Sequence, residues 1–179
     1  MVMGMRMTLV MTIIGPDRTG LVDALARPIA EHNGNWLESR MCRLGGQFAG
    51  IVRVEVESSD ADALRDAIDA IKIEGLQITV QSDPSTSDPI SASMVSVELV
   101  GQDRPGLLRE ITGVFARHSL NVEELTSECA EAPLGGGKLF KANATLSIPE
   151  QADLDAVGDD LEKIAADLLV DIRVAPETV

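Results

Sequence analysis

Two short stretches of this 179-residue chain carry residues able to hold a small anionic ligand. Gly15-Pro16-Asp17-Arg18-Thr19-Gly20-Leu21 and Gly101-Gln102-Asp103-Arg104-Pro105-Gly106-Leu107 share the pattern Gly-x-Asp-Arg-x-Gly-Leu, each running into an apolar stretch of helical period. A glycine in the first turn of a helix lets another group approach the backbone. The free N–H groups there, with the positive end of the helix dipole, suit a carboxylate. Pro105 fits the first helical position, where its missing N–H costs nothing. Asn35 and Asn121 stand where the next strand begins, on a strand expected to neighbour the loop, and an amide there could hold the rest of an amino-acid-sized ligand. Asp17, Gly20, Asn35, Asp103, Gly106 and Asn121 are therefore the candidate ligand-binding residues. Each has a plainer alternative: aspartate can cap a helix, glycine can permit tight packing, and asparagine can shape a turn.

The remaining reactive side chains do not assemble a catalytic set. His32 and His118 fall at the ends of helical segments, where a partial positive charge is welcome, and 86 residues separate them with no convergent carboxylate or thiol. Cys42 and Cys129 fall in strand segments and are expected to be inert and at least partly buried. No nucleophile elbow occurs, and Gly135-Gly136-Gly137-Lys138 lacks the spacing and the Ser/Thr of a phosphate loop. Asp159-Asp160 falls on the polar face of a helix. The reading is a non-enzyme with no metal and no cofactor.

The elements that position the two loops repeat with them. Residues 15–39 and 101–125 align without gaps at a shift of 86, and nine of 25 pairs are identical, His32/His118 and Asn35/Asn121 among them. Two copies mean a duplicated domain rather than a solenoid. Ser82-Asp83-Pro84-Ser85-Thr86-Ser87-Asp88-Pro89 separates them and has linker composition. The expected organisation is domain 1 over 5–82, a linker over 83–92 and domain 2 over 93–176.

In the first copy, residues 7–14 form an apolar, β-branched strand expected to be central and buried on both faces. A helix over 20–32 places Leu21, Leu25 and Ile29 on one side and ends at Asn33-Gly34, with Pro28 expected to kink or shorten it. A strand over 36–44 turns at Gly45-Gly46 into a strand over 47–57. Asp60 then caps a helix with Ala61, Leu64, Ile68 and Ile71 on its apolar face. Gly75 stops that helix before a fourth strand around Leu76, Ile78 and Val80. The second copy gives strands near 93–100, 120–130, 138–148 and 169–175. Its helices lie near 106–118 and 151–168, the latter with Leu154, Val157, Leu161, Ile164 and Leu168 on one stripe. The order βαββαβ, twice, predicts an α+β fold of two ferredoxin-like domains, each a four-stranded antiparallel sheet with both helices on one face.

Composition narrows the function further. A net charge of −14 with no Lys/Arg run disfavours phosphate backbones and anionic membranes. Three Phe, one Trp and no Tyr leave little surface for base stacking. No segment is long enough to span a bilayer, and the opening residues lack the features of a signal peptide, which places the expectation in a reducing cytoplasm.

The Asp-Arg-x-Gly-Leu loop, the helix after it and the Asn-apolar strand start resemble the ACT domain of amino-acid and purine metabolism. Asn35-Trp36-Leu37-Glu38-Ser39-Arg40-Met41, with Leu44-Gly45 and Phe48, resembles the first domain of the glycine cleavage system transcriptional repressor family, which also has two tandem domains. The similarity covers about 7–175 and implies a regulatory protein that senses an amino acid such as glycine or serine. By the same resemblance it would act through a protein partner, a transcription factor or an enzyme, as a homo-oligomer with ligand at a domain interface near this loop. An orphan regulatory subunit of a metabolic enzyme is the alternative. The first domain also resembles the N-terminal domain of formyltetrahydrofolate deformylases, whose catalytic domain has no counterpart here.

Overall fold

The computed structural model describes residues 5–83, 93–132, 137–149, 152–168 and 170–176. The proposed linker from Pro84 onward and most of the glycine-rich insertion, residues 133–136, lie outside them. The chain divides into two units, Met1–Thr86 and Ser87–Val179. The first holds β1 (Arg6–Pro16), α1 (Leu21–Glu31), β2 (Asn35–Leu44), β3 (Gln47–Glu57), α2 (Ala61–Asp69) and β4 (Gln77–Ser82). The second holds β5 (Ser93–Gln102), α3 (Leu107–Arg117), β6 (Asn121–Glu131), β7 (Lys138–Ile148), α4 (Leu154–Leu168) and β8 (Val170–Pro176). The sheets run β2-β3-β1-β4 and β6-β7-β5-β8, and every pairing is antiparallel. The expected βαββαβ order and ferredoxin-like topology are both present.

Period-two alternation decides which side each strand buries. Leu9, Met11 and Ile13 of β1 and Val52, Val54 and Val56 of β3 join Leu25 and Ile29 of α1 and Leu64 and Ile68 of α2 in one cluster. In the second unit Val95, Val97 and Leu99 pack with Ile111, Val114, Phe115, Leu146, Val157 and Leu161. Both helices thus cover one face of each sheet.

β1 is central as expected, but it is not buried on both sides. Ile14 and Ile51 on the opposite face are each about half exposed, at 51% and 52%. With both helices on one side, no described residue of the domain's helices covers the other. Most residues of the edge strands β2 and β6 are exposed, Cys42 and Cys129 included. The expectation of partly buried thiols is corrected on that ground. Leu154 is likewise 44% exposed rather than part of the packed stripe, because it opens α4 at the margin of the core. The side chain of Leu168 lies outside the described residues.

Helix ends depart from the sequence reading in small ways. α1 runs unbroken through the buried Pro28 to Glu31, the same 11 residues as α3, so the proline has not shortened it. Asn33 and Ser119, with φ of 56° and 57°, take the left-handed position just past the two helices. α2 ends at Asp69, well before Gly75, and Asp60 precedes it without capping it through its side chain. Its carboxylate instead accepts a hydrogen bond from the Asn33 amide at 3.2 Å.

Candidate functional site

The repeated loop closes on a glycine in an unusual backbone state. Gly20 and Gly106 sit at the N-cap positions of α1 and α3 with φ of 91° and 89°. An added Cβ would meet nothing within 4 Å at either, so glycine is needed for conformation and not for close packing. Pro105 consequently lies in the turn before the cap rather than at the first helical position.

Neither helix start is capped by a side chain; the Leu107 N–H of α3 donates to Arg104 O at 3.4 Å, and the other first-turn N–H groups suit an anion. Asp17 does not compete for them. Its backbone N–H donates to Gly46 O at 2.9 Å, and its carboxylate pairs with Arg43 at 2.7 Å, turning it toward the β2–β3 hairpin. Asp103 donates likewise from its backbone to Lys138 O at 2.9 Å. It makes no salt bridge with a described residue, because Cys129 stands where Arg43 would correspond. The motif arginines brace the loops: Arg18 donates to Glu74 O at 3.1 Å, and Arg104 pairs with Glu110 of the first turn of α3 at 2.7 Å. Sequence spacing singled out these arginines as part of a repeat but gave no sign of their partners.

The asparagines do not join the loops within a domain, contrary to the expected neighbourhood. β2 runs parallel to β1, with β3 antiparallel between them. Asn35 is level with Glu55 and Thr8, whereas the loop leaves β1 level with Gln47 and Leu44. The eight ladder steps between those levels, Thr8 to Pro16 on β1, span roughly 27 Å. Asn121 and the Asp103–Gly106 loop are separated in the same way, since Asn121 pairs with Ser147 while Gln102 pairs with Leu139. A βα crossover carries the chain back along the sheet before the next strand begins, which is why the two motifs end far apart.

Asn35 borders a depression of about 240 Å³ lined also by Arg6, Asn33, Glu55, Val56 and Glu57. Glu55 first and Glu57 second hold the Arg6 guanidinium above its ordinary pKa by hydrogen bonding and charge. Asn121 donates its amide Nδ2–H to Glu123 Oε1 at 2.8 Å.

The histidines serve the helix ends. His32 Nδ1–H donates to Pro28 O at 2.8 Å, and His118 Nε2 lies 3.0 Å from Asp160 of α4. Lys163, then His118, hydrogen-bond the Asp160 carboxylate and bring its pKa down to about 2. Among the described residues no group of His, Cys, Asp or Glu could hold a metal ion, and no helix is long and apolar enough to cross a membrane.

Residues 7–81 and 95–166 each match a family model described as an ACT domain. The chain belongs to the ACT domain family. The tandem ACT arrangement has curated and structural parallels. The chain is 28% identical over 148 residues to the glycine cleavage system transcriptional repressor of Escherichia coli, covering 81% of this chain and 77% of that protein. A crystal structure of a protein of unknown function from Galdieria sulphuraria superposes with a TM-score of 0.87 at 26% identity, covering 97% of this chain and all of that one. A second, of a candidate glycine cleavage system transcriptional repressor, gives 0.73 at 16% identity over 98% and 99% of the two chains, which shows the shared fold.

Proposed function

We propose that this tandem ACT protein is a non-catalytic regulator that binds a small amino acid, glycine or serine, and acts through a protein partner in the cytoplasm. One observation carries the reading: both domains keep an N-cap glycine in the left-handed region before a helix start that no side chain caps. Such a start offers N–H donors and a positive dipole end to a carboxylate. The similarity to a repressor of glycine cleavage supports transcriptional control of amino-acid metabolism as the setting. The charge of −14 favours action through a protein over direct contact with DNA.

The separation of loop and asparagine supports a homo-oligomer. β2 is an edge strand, and antiparallel pairing with β2 of a second copy sets the start of one strand against the end of the other. Asn35 of one copy would then approach the Gly45-Gly46 hairpin and the Asp17 loop of the other, restoring the site that one domain lacks.

A thermal-shift screen of the full chain against the twenty amino acids tests the reading. A rise confined to one or two small amino acids is expected. A flat response to all twenty would refute the sensing role.

A further inference from the structure

The open faces of the two sheets differ at matched ladder positions. In domain 1, Cys42, Ala49 and Ile14 form one cross-strand row on the side away from the helices, and Arg40, Ile51 and Thr12 form the next. The same places in domain 2 hold Glu128, Lys141 and Val100, then Thr126, Asn143 and Glu98. Only Arg40 is charged among the six in domain 1, against Glu128, Lys141 and Glu98 in domain 2. An antiparallel sheet with one face in water carries polar residues on that face, as domain 2 does. Domain 1 instead sets Ile14 and Ile51 as diagonal neighbours there, each about half exposed. The two domains share one topology, so the fold by itself does not call for this apolar face.

We propose that the open face of domain 1 is a contact between copies of this chain, packed sheet against sheet. The charges beside the uncharged rows are compensated in place. Glu38 and Asp83 pair with Arg53, and Glu55 and Glu57 pair with Arg6. Copies of a chain of charge −14 repel wherever acidic surfaces meet, and this face brings little net charge into contact. A strongly basic or acidic partner would find no block of opposite charge on it. An apolar patch is also complementary to itself, which a two-fold contact requires.

Size agrees with this occupant. Four strands about 4.8 Å apart and six residues long, at about 3.4 Å each, give a footprint of roughly 400 Å². That is about half of what one partner buries in a standard interface. Antiparallel β2 pairing about a two-fold axis keeps the open faces of both copies on one side, so a β2-joined pair presents roughly 800 Å². This enlargement rests on the β2 pairing proposed above, whereas the contrast between the two faces stands without it.

Sedimentation velocity on the full chain and three variants measures the mass of the assembly. Thr12→Glu and Ile51→Asn install the residues that domain 2 carries at those places. Both positions are exposed, so circular dichroism spectra and melting midpoints should stay near wild type while each variant halves the mass. Val100→Asn, on the open face of domain 2, should leave the mass unchanged. A monomeric wild type, a folded Thr12→Glu or Ile51→Asn that keeps the full mass, or a halved mass in Val100→Asn would overturn the proposal. Where one face variant fails to fold, the other decides. A full mass kept by a folded face variant would leave β2 pairing as the contact between copies, and the amino-acid screen judges the sensing role separately.

Discussion

Gly106 and Gly158 make a matched pair in which only backbone conformation differs. An added Cβ meets nothing within 4 Å at either position. Gly106 stands at φ 89° before α3, whereas Gly158 lies inside α4 and is absent from the residues of positive φ. Alanine at Gly158 should stabilise domain 2 by about 0.5–1 kcal/mol, because it removes the backbone freedom of glycine from a helix interior. Alanine at Gly106 gains the same unfolded-state term but must hold a left-handed conformation costing roughly 1–2 kcal/mol, so the net effect is a loss of about 1 kcal/mol. For a domain of 60–100 residues each kcal/mol moves the melting midpoint by about 4–8 °C, so the two variants should straddle wild type. Thermal unfolding followed by circular dichroism reads both variants against wild type. The circular dichroism transition should move in opposite directions in the two variants. Shifts of the same sign in the two variants would refute the argument from φ.

Three further outcomes follow from charge and exposure. Asp160, brought from the usual 3.8 to about 2 by Lys163 and His118, favours the folded state in its ionised form. Its contribution is present above about pH 4 and lost as pH falls toward 2, so Asp160→Asn should melt lower than wild type at pH 5 and converge with it near pH 2. A constant offset across that window would rule this out. Cys42 and Cys129 should both react with a soluble aromatic disulfide in the native protein, since both are exposed; a single fast thiol would contradict their placement on open edge strands. The purified chain should give no sequence-selective DNA mobility shift at physiological salt, and a tight shift with the protein alone would overturn the argument from its charge of −14.

The fold was legible because its signals are local and periodic. The alternation of Val52, Val54 and Val56 against Arg53, Glu55 and Glu57 fixed which face of β3 turns inward, and Gly45-Gly46 fixed the hairpin. The 86-residue repeat then transferred each assignment to the second copy. What stayed hidden depends on how far the helices reach across the sheet. Cys42 and Cys129 sit in strands whose pattern resembles that of their neighbours, yet β2 and β6 lie at the sheet edges, where both thiols are exposed.

The site was legible by type and illegible by geometry, for a directional reason. Asp17, Gly20 and Asn35 recur together along the chain, and sequence proximity suggests that they converge. α1 intervenes, and a helix of 11 residues at 1.5 Å each returns the chain over much of the sheet before β2 begins. A loop at the end of β1 and a residue at the start of β2 therefore occupy opposite ends of any right-handed crossover, whatever their identities. Recurrence of both motifs in both copies reflects shared ancestry, and the fold sets the loop and the asparagine of each domain at opposite ends of its sheet.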